Sequence, residues 1–177
     1  NPFNSTEEIE TWLHSLNSEQ YFSVEQIPLK ELRQWSFNPA TGNLEHASGG
    51  FFSIRGLKVK TNMGSIAEWS HPIIYQPDIG ILGIITKKFN GILYFLIQAK
   101  AEPGNLNNYQ LSPTVQATRS NYNRLHGGKP TRYLEHFLGD RRAHILIDQL
   151  QSEQGARFFC KRNRNIISRL KDNEDIE

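Results

Sequence analysis

The stretch that decides the fold is Ile79-Gly80-Ile81-Leu82-Gly83-Ile84-Ile85-Thr86-Lys87-Lys88-Phe89-Asn90-Gly91-Ile92-Leu93-Tyr94-Phe95-Leu96-Ile97. Two almost wholly apolar runs, 79–86 and 92–97, flank a polar break that contains Asn90-Gly91. An Asn-Gly pair supplies the positive φ angles of a tight hairpin turn. The stretch therefore predicts two adjacent antiparallel strands, both largely buried.

Upstream, Ser5 and Glu8 form a capping-box pattern, and Ile9, Trp12, Leu13 and Leu16 follow helical spacing, which predicts a helix over 6–17. Pro28 reads as the start of a short helix to about Trp35. Asn38 to Gly42 is a loop. Residues 51–54 and 57–60 alternate on either side of Gly56, a candidate bulge or tight turn, and Pro72 to Tyr75 reads as a short strand. Downstream, Ser112-Pro113 has the form of an N-cap and first helical position, with Val115, Thr118, Tyr122 and Leu125 sharing one face. Gly127-Gly128-Lys129-Pro130 breaks that helix, and 132–137 reads as a helical turn or two. A closing hairpin is expected from 143–150 and 158–165, turning at Gln154-Gly155. The charged tail 171–177 is expected to fray or to act as a linker, so that 1–170 forms a single unit.

Composition bounds the function. A chain of 177 residues with 37% hydrophobic and 21% charged residues is long enough for one well-cored globular domain. A net charge of +2 argues against coating nucleic acid or anionic membranes. The single cysteine, Cys160, excludes an internal disulfide and a cysteine-rich zinc site; on its strand it reads as a packing residue. A reducing cytoplasm is the simplest compartment. No apolar run reaches the length of a membrane span, and Asn1-Pro2-Phe3-Asn4 carries no signal-peptide pattern. With no Met at position 1, the chain reads as trimmed at its front. Six histidines lack HExxH spacing and acidic companions, so no metal site is expected; His71, His126 and His136 flank polar, turn-rich segments that suit proton transfer.

The polar run from Gln98 to Tyr122 is the candidate site. Gln98, Lys100 and Glu102 alternate, so they point to one side of a continuing strand, either as a solvated strand end or as the lining of a cleft. A helix beginning at Ser112 would offer free N–H groups to an anion, with Gln116, Arg119, Ser120 and Asn123 on its polar side. Arg162 and Arg164 alternate near Lys161 and Arg157. They suit either a diphosphate clamp or an edge guarded against aggregation. The basic stretch Lys161–Arg169 leaves a nucleic-acid-binding module as the least favoured reading.

Taken together, several motifs resemble the NDP-hexose 2,3-dehydratases. They are Ile79 to Ile84, Phe95 to Asn105, Gln110 to Tyr122, Gln151 to Gly155, Lys161 to Asn165 and Gly49 to Ser53. The similarity covers about residues 10–167. It implies an α+β, Nudix-like fold, a mixed or antiparallel sheet flanked by helices, without the acidic signature that binds metal. It implies a dTDP-linked 4-keto-6-deoxyhexose as substrate, elimination of water across C2–C3, and no cofactor, since the 4-keto group is itself the electron sink. Family enzymes generally carry two copies of the unit; this sequence has one, most like the first, which makes a homodimer the expected substitute. A binding unit without catalysis is the alternative. The resemblance and the chemistry assign Lys100 or Arg119 to charge stabilisation, and Glu102, His71, Tyr122 and His126 to acid–base work. Gln98, Gln110, Ser112, Thr114, Gln116 and Asn121 are expected to hydrogen-bond the nucleotide or sugar. Arg162 and Arg164 are expected at the diphosphate, and Trp69 or Tyr133 on the base.

Overall fold

In the computed structural model, which describes residues 3–118, 130–138 and 144–176, the chain opens with helix α1 (Thr6–Glu19) and continues as strands. These are β1 (Trp35–Phe37), β2 (Leu44–His46), β3 (Ser53–Lys60), β4 (Glu68–Tyr75), β5 (Gly80–Phe89), β6 (Ile92–Ala101), β7 (Tyr109–Pro113), β8 (Val115–Ala117), β9 (His144–Ser152) and β10 (Arg162–Arg169). One antiparallel sheet has the order β1-β2-β3-β4. The other runs β7-β6-β5-β10-β9, with β8 also on β5, and is mixed because β5 and β10 pair in parallel. The architecture is α+β, sheet-dominated, with one α-helix among the described residues and short 3-10 turns at Leu29–Glu31 and Leu134–His136.

The central hairpin forms as its sequence demands. Phe89 pairs with Ile92, and Asn90 and Gly91 take φ values of 51° and 81°. β5 is buried along most of its length, but β6 is not: Phe95 is 54% exposed, and Leu96 and Ile97 are exposed as well. The cause is a change of partner. β6 pairs with β5 only from Phe89↔Ile92 to Ile85↔Leu96; beyond that point β8 takes the same edge of β5 and β6 pairs with β7. Thr114 sits at the fork. Its hydroxyl accepts from Ile85 N–H at 3.0 Å and donates to the Leu96 carbonyl, satisfying backbone groups that the parting strands leave behind.

The core is Ile81 and Ile85 of β5, Val115 and Ala117 of β8, Ile166 of β10, Leu170 and the fully buried Phe137. Phe137 lies against Gly83, where an added Cβ would come within 2.6 Å of the ring. A buried aromatic side chain on a strand interior leaves such a methyl no room. Gly83→Ala is therefore expected to lower unfolding stability by about 1–3 kcal/mol, read from urea melts.

Several expectations are corrected. α1 keeps its capping box, with Glu8 N–H on Ser5 Oγ at 3.1 Å and Ser5 N–H on Glu8 Oε2 at 2.6 Å, and extends to Glu19. The helix expected after Pro28 shrinks to the 3-10 turn, because Gln34 at φ 65° reverses the chain into β1. Gly56 is no bulge: it pairs one-to-one with Pro72 inside continuous β3. Pro72 is tolerated there because β4 is the outer strand, where a missing N–H costs no ladder bond. The expected helix start at Ser112-Pro113 is strand, since Ile97↔Pro113 and Gln98↔Ser112 pairing overrides the local cap pattern. β10 begins only at Arg162, and Cys160 is an exposed residue at φ 52° in the preceding link rather than a packed strand residue. That link binds the two sheets: Ile74 N–H donates to Arg157 O and Phe159 N–H to Ile74 O, both at 2.9 Å. The charged tail is docked, with Lys87 Nζ on Glu174 O at 2.7 Å and Ile176 packed on the core.

Candidate functional site

β6 carries Gln98 and Lys100 at alternate positions and hands on to Glu102. β7 lies antiparallel beside it, placing Ser112 opposite Gln98 and Gln110 opposite Lys100. Opposed residues on antiparallel strands share a face, so register alone gathers these polar side chains. β8 then adds Gln116. The result is a connected network. Lys100 Nζ lies 2.9 Å from Glu102 Oε1, Gln116 Nε2 donates to the same oxygen at 3.0 Å, and Ser112 Oγ donates to Gln116 Oε1 at 3.1 Å. Gln98 Nε2 donates to Pro113 O at 2.9 Å. The turn after Glu102 is pinned by Asn105, whose Nδ2 donates to the carbonyls of Lys100 at 3.3 Å and Asn108 at 3.0 Å.

The geometry has a chemical consequence. Glu102 Oε1 takes two donors, one of them an ammonium, while Oε2 takes none from the described residues. A carboxylate oriented through one oxygen presents the other to a proton. An ammonium beside such a carboxylate is a group that can stabilise negative charge developing nearby. The side chains of Lys100 and Glu102 are 34% and 41% exposed, so the pair stands open.

Other expected site residues do not join this network. Trp69 and His71 are on β4 of the four-stranded sheet, His71 with Nδ1 2.9 Å from Pro72 O. Tyr133 packs on the core, with the Arg132 guanidinium 4.8 Å from its ring centre. Arg164 is tied at two points to Asp148, Nε to Oδ1 at 2.7 Å and Nη2 to Oδ2, and that hydrogen bonding raises its pKa. It is thus committed within the chain, whereas Arg162 is exposed. Thr114 spends its hydroxyl on the backbone fork, and Gln110 is exposed beside Lys100. Arg119, Asn121, Tyr122 and His126, with Ser120 and Asn123, lie outside the described residues. The anion site expected at a helix beginning with Ser112 is lost with that helix.

A second polar cluster was not anticipated. Lys161 is only 4% exposed and donates from Nζ to the Asp78 carbonyl. Asn163 donates to Glu153 Oε1 and accepts from Gly80 N–H at 3.0 Å. In sequence, Lys161 is one of several basic residues at alternating positions, and nothing local marks it as buried. With Lys161 inside, Arg164 paired and β10 lying between β5 and β9, residues 161–169 do not form a basic surface stripe. Burial lowers the Lys161 pKa, with Asp78 and Glu153 pulling it partly back up. Between that lowered value and the ordinary 10.5, the unfolded chain holds more protons than the folded one, so stability rises with pH. Urea melts should show the native chain gaining stability relative to Lys161→Met as pH climbs toward 10.5, and levelling off above it.

Comparison with known proteins agrees with the motif pattern. A family model described as NDP-hexose 2,3-dehydratase matches residues 6–177. Three relatives carry the name dTDP-4-dehydro-6-deoxy-alpha-D-glucopyranose 2,3-dehydratase. The protein of Saccharopolyspora spinosa is 48% identical over 167 residues, covering 94% of this chain and 34% of the relative. That of Amycolatopsis orientalis is 49% identical over 167 residues, covering 92% and 36%. That of Streptomyces violaceoruber is 47% identical over 160 residues, covering 88% and 35%. The chain spans about a third of the length of these relatives. On a family match that runs almost end to end, this chain belongs to the NDP-hexose 2,3-dehydratase family.

Proposed function

We propose that this chain is a unit of a sugar 2,3-dehydratase acting on a dTDP-linked 4-keto-6-deoxyhexose, with the Lys100–Glu102–Gln116 network as its reacting centre. The observation that carries the reading is Glu102, held through one carboxylate oxygen by an ammonium and an amide, in a chain of this family. The 4-keto group acidifies the C3 proton. Glu102 takes that proton, and the electron pair left on C3 delocalises into the carbonyl, giving an enolate whose oxygen Lys100 stabilises. The C3–C2 double bond then forms as the C2 hydroxyl departs with a proton, for which Tyr122 and His126 are our candidate donors. The resulting enol tautomerises to the 3,4-diketo-2,6-dideoxysugar. Electrons balance within the substrate, so no redox cofactor enters.

Gln98, Gln110 and Ser112 flank this centre on β6 and β7 and are our candidates for holding the sugar. Arg162 is the better candidate for the diphosphate, Arg164 being held by Asp148. The finer fold reading is Nudix-like and the compartment cytoplasmic, both resting on the family resemblance and on cysteine usage. The test is incubation of the purified chain with the dTDP-4-keto-6-deoxy sugar, followed by mass spectrometry. Loss of one water from the sugar supports the reading. A second reading, a nucleotide-sugar-binding unit that needs further polypeptide for catalysis, is favoured by the chain's spanning about a third of its relatives. Binding of dTDP-sugar without turnover selects it.

A further inference from the structure

The four-stranded sheet carries a cation that the Lys100–Glu102–Gln116 network does not use. Paired residues on antiparallel strands share a face. Ser53 with Tyr75, Arg55 with Ile73, Leu57 with His71 and Val59 with Trp69 therefore lie on one side of β3 and β4. His71 and Trp69, both expected at the site from sequence, thus share a face with Arg55, which lies outside the motifs quoted above.

Arg55 is exposed, yet its guanidinium is held from two sides. Its Cζ lies 3.5 Å from the centre of the Tyr75 ring, and its Nε donates to Ser53 Oγ at 3.1 Å. Ser53 is buried, so the acceptor is fixed within the sheet. With Nε spent, the two terminal nitrogens remain as a planar fork, the geometry that takes two oxygens of one phosphate. Lys58, Lys87, Lys100 and Arg164 each pair with a carboxylate, whereas among the described residues none pairs with Arg55. A second ring stands beside this mount. The link before β10 runs along the outer edge of β4, where Phe159 N–H donates to Ile74 O at 2.9 Å. The Phe159 ring centre lies 6.4 Å from that of Tyr75, and the residue is 43% exposed.

We infer that Arg55, mounted on Tyr75 and Ser53, receives the phosphate of a nucleoside phosphate, and that Phe159 packs against its base. The fork selects an oxyanion, because it is charged, pre-oriented and unmatched by any carboxylate among the described residues. The ring selects the nucleoside. An inorganic anion would use the fork alone, while a flat base has a face to lay on an exposed aromatic side chain. The inference rests on the proposed function for the choice of a thymidine nucleotide, but it is read from binding, without turnover.

The test is calorimetric titration of dTDP and, separately, of inorganic pyrophosphate into the native chain, Arg55→Lys, Phe159→Ala and Arg162→Lys. All three positions are exposed, so the variants are expected to fold, and unchanged thermal melting verifies that they do. Arg55→Lys keeps the charge and loses the fork, and should weaken both ligands by about tenfold or more. Phe159→Ala should weaken dTDP by about threefold or more and leave pyrophosphate unchanged. No binding of dTDP to the native chain at ~1 mM overturns the inference. So does binding that survives Arg55→Lys, as when the guanidinium merely covers the ring, or binding lost in Arg162→Lys alone, which moves the phosphate to β10. Pyrophosphate bound as tightly as dTDP, with Phe159→Ala silent, leaves a site for a free anion and overturns the nucleoside assignment. Binding of dTDP through Arg55 without dehydration of the sugar keeps the inference and removes the proposed reaction. Dehydration by a chain whose dTDP affinity is indifferent to Arg55 does the reverse.

Discussion

Glu102→Gln is expected to lower kcat for sugar dehydration by about 100-fold or more, the range that one positioned general base contributes. The amide keeps the shape of the side chain and a carbonyl oxygen that can accept from Lys100 Nζ and Gln116 Nε2, so the network is disturbed little. What it loses is the second carboxylate oxygen as a proton acceptor. Lys100→Met should produce a loss of similar size for a different reason, the absence of cationic stabilisation at the enolate oxygen. Both changes act on the transition state, so kcat should fall while the affinity for dTDP alone, measured by calorimetry, stays within about twofold. Removing the cation also leaves Glu102 with the Gln116 amide as its remaining donor among the described residues. Undiminished turnover in both variants would place the reacting centre elsewhere.

Phe137→Ala is expected to be the most destabilising single change, at about 3–5 kcal/mol in urea melts. Its side chain is fully buried and packs with Ile85, Ile166, Val115 and Leu170 at the junction of β5, β8 and β10. Gly83 below it has no side chain to move into the space, and strand backbones held on both sides relax poorly into a cavity. Gly83→Ala and Phe137→Ala disturb the same contact from opposite sides, by overfilling and by emptying. Their effects should fail to add in the double variant, because the alanine methyl partly occupies the vacated space.

The features legible in sequence are those set by interactions within a few residues. Asn90-Gly91 announces its hairpin because the turn's φ angles depend on those two residues. Ser5 and Glu8 announce the helix start because each bonds the other's backbone. The alternation of Gln98, Lys100 and Glu102 holds for the same reason, as strand periodicity is local. Ser112-Pro113 misleads because its cap pattern competes with a full ladder to β6, and cross-strand pairing outweighs a single cap.

By itself, the sequence determined the central hairpin, the first helix, the family and the run of polar residues in which the candidate site lies. Only the tertiary structure decided which of those polar residues meet. Gln116 reaches Glu102 because β6 leaves β5 at Leu96 and β8 takes its place, a fork held by Thr114 that no local spacing encodes. The burial of Lys161, the commitment of Arg164 to Asp148 and the placement of His71 and Trp69 in a different sheet from Lys100 are likewise products of strand order. Strand order depends on contacts between residues far apart along the chain, whose pattern a single sequence does not display.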